Sequence, residues 1–129
     1  MFNSLFQKSK TSYAPHEFHC KKCGKTLKGE YCSDLPLKES TIWALGFHIN
    51  GHKITKDEII NLLNPYYIIS EDEDNLKFNC NFCNYTDKVN KNKIGILSIQ
   101  KIISHTTNHL SIIDQCDMGD RLLSTYFNY

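Results

Sequence analysis

Two pairs of cysteines and two pairs of histidines recur in the same order along this chain, and their side chains are the ones that can bind metal or exchange electrons. Cys20 and Cys23 stand in FHCKKCGKTL, and sixty residues later Cys80 and Cys83 stand in FNCNFCNYTD. Each cysteine pair is followed at a distance by histidines four apart, His48 and His52 in HINGH, then His105 and His109 in HTTNH. A C-x-x-C pair can be a disulfide, a redox centre or half of a metal site. A thioredoxin-like pair opens a helix after a strand, whereas here Gly24 and a lysine-rich, hairpin-like segment follow. A C-x-x-C knuckle turns two sulfurs toward one point, and histidines four apart on a helix present two nitrogens on one side. Tetrahedral zinc takes such thiolate and imidazole ligands at about 2.0–2.3 Å. The duplicated order therefore predicts two zinc sites, Cys20/Cys23/His48/His52 and Cys80/Cys83/His105/His109.

Other pairings are open to the same residues. The four C-x-x-C cysteines could build one ribbon site and leave the histidines incidental, and Cys32 or Cys116 could replace a histidine. Both of these are expected to be buried or free thiols, since cysteine packs as a small hydrophobe. A catalytic zinc keeps an open position with a carboxylate close by, whereas each set here offers four ligands. The chain has no H-E-x-x-H, nucleophile-elbow, P-loop or dinucleotide pattern. The expectation is no catalytic residue and no enzyme.

The elements that must position these ligands can be read from periodicity. In the first copy, Ser40 is the expected cap of a helix through STIWALGFHINGH, with Leu45, His48 and His52 on one face. Gly46 and Gly51 weaken that helix, so tertiary contacts or metal must hold it. Thr55 and Glu58 form a capping box for a second helix bearing Ile59, Ile60, Leu62 and Leu63, and Pro65 marks its stop. In the second copy YYIIS and NLKFNC flank an acidic EDED turn as a hairpin leading into Cys80. A helix over 93–113 is expected to carry Ile102, His105, His109 and Ile113 on one stripe, followed by a short helix capped by Asp117 with Leu122 and Leu123 as its apolar pair. The fold class is thus α+β, two tandem zinc-stapled units, 1–64 and 65–129, each a hairpin with C-x-x-C, a helix with H-x-x-x-H and a short second helix.

With these features the chain resembles a tandem of C2H2-type zinc fingers. The resemblance covers roughly 16–52 and 76–109 and extends past the ligands. Phe18 and Phe78 match the aromatic two before the first cysteine, and Leu45 and Ile102 match the apolar residue three before the first histidine. The spacing departs from the usual finger: 24 and 21 residues separate the second cysteine from the first histidine, closer to BED-type or other divergent fingers. The stretch from His52 to Cys80 is also much longer than the linker that lets fingers follow the major groove. The resemblance implies a nucleic-acid-binding, transcription-regulating role. Its base-contacting positions fall on Phe47, Ala44 and Thr41 in the first copy, and on Ser104, Lys101 and Ser98, with Gln100 adjacent, in the second.

Composition bounds these readings. A chain of 129 residues with 40% hydrophobic content makes one small domain or two very small ones, and a unit of about 60 residues is marginal without a staple. Net charge of +1 gives no support to a strongly basic binder. Lysines nevertheless cluster, at Lys21, Lys22, Lys25 and Lys28 and again at Lys88, Lys91, Lys93 and Lys101. Two functions from different classes follow: a DNA- or RNA-binding regulator, with Lys88, Lys91, Lys93 and Lys101 as phosphate contacts, or a zinc-stabilised protein-interaction module without nucleic-acid binding. Trp43 and Phe47 are expected to pack on the Ile59 to Leu63 helix, or else to anchor a protein partner. No stretch is long and apolar enough for a membrane span, and the amino terminus lacks the pattern of a signal peptide. An intracellular protein, nuclear or cytoplasmic and not secreted, is expected.

Overall fold

The computed structural model describes residues 13–129; residues 1–12, on which the reading of the amino terminus rests, lie outside the described residues. Strand β1 (Ala14–Cys20) pairs antiparallel with β2 (Thr26–Tyr31), with Phe18 opposite Leu27 and His19 opposite Thr26. The first C-x-x-C is the turn of this hairpin. Gly24 closes it at φ +72°, a conformation that needs no side chain, with its N–H on the Cys20 carbonyl (2.8 Å). Helices α1 (Glu39–Asn50) and α2 (Lys56–Leu63) follow. Strands β3 (Tyr67–Glu71), β4 (Asn75–Cys80) and β5 (Thr86–Asn90) form a second antiparallel sheet in that order. A 3-10 turn at Lys91–Lys93, helices α3 (Gln100–Thr107) and α4 (Ile112–Tyr126), and the short strand β6 (Phe127–Asn128) complete the described chain. The architecture is α+β, with two three-stranded sheets and four α-helices among the described residues.

One strand of the second unit completes the sheet of the first. The sheet of the first unit is ordered β2-β1-β6, so the last strand of the chain, which follows the helices of the second unit, completes it. Cys20 lies opposite Phe127 there, and Cys80 lies opposite Tyr67 in the second sheet. The backbone bonds repeat with a sixty-residue offset: Lys21 N–H donates to the Tyr126 carbonyl (2.9 Å), and Asn81 N–H to the Tyr66 carbonyl (3.0 Å). Each helix pair is thus followed by a strand that pairs with a C-x-x-C strand, β3 with β4 and β6 with β1, and of the two only β6 crosses from the second unit to the sheet of the first.

One apolar cluster spans both units, including Phe18, Leu45, Ile49, Leu63, Tyr67, Phe78, Ile102, Leu123 and Phe127. The buried state of Phe18, Leu45, Phe78 and Ile102 is what their finger-like positions imply. At the seam, Gly46 of α1 passes so near Ile96 that a Cβ would stand 3.0 Å from its Cγ2. The glycine that weakens α1 thus permits the close packing that holds it.

The capping box of α2 is present: Thr55 Oγ1 accepts from Glu58 N–H (3.2 Å), and the Glu58 carboxylate accepts from Thr55 N–H (3.0 Å). Four local expectations are corrected. Helix α1 begins at Glu39 after Lys38, and no side chain caps it, so Ser40 is inside the first turn. The expected helix over 93–113 is much shorter. Asn90 caps the 3-10 turn that holds Lys93, and Gly95 N–H bonds the Ser98 hydroxyl (2.9 Å), so the chain bends before α3 starts at Gln100. His109 lies in the turn beyond α3, where its N–H reaches the Thr106 carbonyl (3.0 Å), and Ile113, on the next helix, is 80% exposed. Finally, Ser111 rather than Asp117 caps α4, accepting from Asp114 N–H (3.1 Å), and this makes α4 fifteen residues long rather than short.

Candidate metal centres

The hairpins and helices bring the predicted ligands into two groups, Cys20/Cys23/His48/His52 and Cys80/Cys83/His105/His109, with all four donor atoms of each within 4.8 Å of one another. In the first, His52 Nε2 lies 3.6 Å from Cys20 Sγ, His48 Nε2 lies 3.5 Å from Cys23 Sγ, and the two Nε2 atoms are 3.0 Å apart. In the second, His105 Nε2 is 3.2 Å from Cys83 Sγ and 3.3 Å from His109 Nε2. Bonds of about 2.0 Å to nitrogen and 2.3 Å to sulfur in a tetrahedron separate S from N by about 3.5 Å and N from N by about 3.3 Å. The donor sets fit one metal ion each. A hydrogen bond would account for one such approach, but not for two sulfurs and two Nε2 atoms converging on one point twice. The four-cysteine ribbon is excluded by this arrangement, since each cysteine pair meets its own histidines. Cys32 is buried and Cys116 half-buried; both are free thiols outside the two groups.

The surroundings of the first group favour the metal-binding protonation states. Burial works to raise the Cys20 thiol, yet the N–H groups of Cys23 and Lys22 and the Lys22 charge lower it overall, toward thiolate. Burial, then the neighbouring His52 and the Lys25 charge, lower His48 and keep its imidazole neutral. The second group is framed by rings instead. Tyr85 stacks on His105 (centroids 3.9 Å apart, 19°) and Phe82 stacks on His109 (5.4 Å, 17°). The matching positions in the first unit are Lys25 and Lys22.

The lysines and polar residues expected to meet nucleic acid are divided among several surfaces. Lys91 and Lys93 join Lys53 and Lys56, which the sequence reading had not singled out, around a cleft of about 500 Å³ at the seam of the two units. Glu71 bridges two of the four, at 2.6 Å from Lys91 and 3.0 Å from Lys56. Lys53 sits at φ +59°, uncommon for a residue with a side chain. Lys88 is on the solvent face of the second sheet, directly opposite Lys77. Lys101 and Ser104 line a separate groove of about 600 Å³ with Trp43, Leu62, Met118 and Leu122. Gln100 is exposed at the start of α3, and the Ser98 hydroxyl bonds the Gly95 carbonyl (2.8 Å). In α1, Thr41 is buried and its hydroxyl accepts from Glu30 N–H (2.8 Å), so it faces inward. Phe47 is not packed on α2: it is 66% exposed, while Trp43 is half-buried at the groove. The cleft's lysines could have been grouped from sequence only by knowing the β3–β4–β5 pairing that sets Glu71, and with it Lys56, beside Lys91.

Among the described residues no helix is long and apolar enough to cross a membrane. No protein-family model matches this chain, and neither a curated protein nor a solved structure matches it.

Proposed function

We propose that this chain is a zinc-stapled nucleic-acid-binding protein that acts by binding rather than by catalysis. Two thiolates and two imidazoles suit zinc, and four protein ligands leave no open position, as in a structural site. Zinc at such a site supplies roughly 10–16 kcal/mol of binding free energy that becomes folding free energy, which units of this size need. The observation that carries the nucleic-acid reading is the seam cleft: four lysines converge there, and the acidic groups beside them, Glu71 and Asp72, act on Lys56 and Lys91. Lys53 and Lys93 form no ion pair among the described residues. Phosphates are the ligands such a cleft recognises by charge, without sequence information.

Fluorescence anisotropy with mixed-sequence duplex DNA, single-stranded DNA and RNA, each titrated at several salt concentrations, tests this. Binding is expected to weaken steeply with salt. Lys53→Gln with Lys93→Gln is expected to flatten the log–log slope by about 0.7–0.9 per lost contact. Absence of binding to all three probes at low salt overturns the reading. The alternative, a protein-interaction module, then takes its place; the apolar groove around Trp43, Leu62, Met118 and Leu122 favours it.

A further inference from the structure

Three features of the surface that are separate in the sequence share one stripe of α1. Trp43, Phe47 and Asn50 are spaced i, i+4 and i+7, so they lie one above another along the helix. Trp43 borders the groove that also holds Lys101, and its indole N–H reaches the Glu39 carboxylate (3.3 Å). Asn50, at the other end, borders the cleft of Lys53 and Lys93. Between them stands Phe47, 66% exposed, flanked on the solvent side by Ala44. Phe47 is thus one helical turn from Asn50, which borders the cationic cleft, and most of its ring is open to solvent.

The geometry points to a single-stranded nucleic acid laid along α1, with phosphates in the Lys53/Lys93 cleft and bases stacked on Phe47 and toward Trp43. The inference rests on the nucleic-acid reading above and narrows it to a substrate class. Ala44 and Phe47, the exposed middle of this stripe, carry no hydrogen-bonding group on their side chains, so they cannot read base edges in a duplex groove. A ring accepts the face of any unpaired base, and aromatic platforms combined with a basic groove are how single strands are held without sequence preference. In a duplex the base faces are covered by stacking on each other, and Phe47 would have no partner. The rise along α1 from Trp43 to Asn50 is about 10 Å at 1.5 Å per residue, enough to set two rings and one phosphate site in line.

The chain has one tryptophan, so its intrinsic fluorescence reports on Trp43 directly. Titrating the zinc-loaded protein with oligothymidylate is expected to quench that emission. Anisotropy is expected to show tighter binding to the single strand than to a duplex of equal charge. Phe47→Ala is expected to weaken single-strand binding roughly tenfold while leaving the salt slope unchanged. Lys93→Gln is expected to flatten the slope by about 0.7. Phe47→Trp should restore affinity. Because Phe47 is exposed, the Ala variant should retain both metals and the parent's circular dichroism. Equal affinity for duplex and single strand, or unchanged affinity in Phe47→Ala, overturns the single-strand inference while salt-dependent binding of the parent keeps the broader reading. Absence of binding to any nucleic acid overturns both.

Discussion

The two halves of the molecule place the same four ligands on the same elements and surround them differently. In the first, lysines stand at the two positions beside the cysteines, and Phe127 lies tilted over His48 at 6.1 Å. In the second, Tyr85 and Phe82 stack on the two imidazoles. The strands that close the sheets differ as well. Tyr67 is buried with its hydroxyl donating to the Ile102 carbonyl (2.9 Å) and accepting from Thr106 (3.0 Å). The corresponding residues of the first half, Phe127 and Ile49, are both apolar and buried. A polar pair with all its bonds made and an apolar pair of similar size thus serve the same position, because what a core excludes is the unsatisfied group rather than the polar one. The ligands are held by shared backbone geometry, and the rest of each unit is free to differ.

The largest effect expected is on the interlock itself. His48→Ala should remove one metal and also loosen the second unit, because β6, which closes the first sheet, is continuous with α4 of the second. Hydrogen exchange should show faster exchange at α4 as well as at β1. Protection at α4 equal to the parent's would show that the halves are independent. Truncating Phe127 to alanine is expected to destabilise the zinc-loaded protein by about 3–5 kcal/mol in a denaturant titration, the usual range for a buried phenylalanine. Tyr67→Ala should do the same from the other side, so unequal effects would break the equivalence of the two strands.

The comparison is sharpened by smaller changes. Tyr67→Phe alone should cost about 1 kcal/mol, since the Thr106 hydroxyl can then donate to the Ile102 carbonyl within reach, whereas Tyr67→Phe with Thr106→Ile should recover much of that by copying the first half. Tyr85→Ala should speed loss of the second metal to a chelator several-fold by freeing the His105 ring, while Lys25→Ala should change the first metal's release far less. An equal response would mean that stacking does not orient the ligand.

Much of this organisation is legible in the sequence. The ligand sets, the β3–β4 hairpin and the α2 capping box follow from spacing and local chemistry, which act within a few residues. Helix lengths around the second histidines do not, because Gly95, Ser98 and Ser111 redirect the chain through hydrogen bonds that periodicity cannot weigh against apolar spacing. The crossing of β6 to the first sheet is invisible for a further reason. Phe127–Asn128 is two residues long, and its pairing with Cys20 is fixed by how α4 docks, a contact more than a hundred residues away in the chain. The exposure of Phe47 escapes the same way, since its i, i+4 relation to Trp43 is identical in a buried and an exposed stripe.

A modest pH effect distinguishes the halves further. Burial works to raise the Glu58 carboxyl, but the Tyr126 phenol (2.5 Å) and Thr55 bonds win and hold it below the ordinary value of 4.5. A depressed folded-state pKa means that stability is fully present above pH 4.5 and is lost as pH falls through the folded value. Glu58→Gln should therefore lower stability by about 1 kcal/mol at pH 7 and progressively less in acid. A variant equally destabilised at both would show that the capping geometry, and not the charge, matters.

The two Cys2His2 groups are expected to hold one zinc ion each. Native mass spectrometry of the intact chain, with each histidine replaced in turn, checks this. Two zinc ions are expected in the parent, with His105→Ala losing the ion held at Cys80 and Cys83. A parent that binds one ion, retained through every histidine substitution, would contradict it.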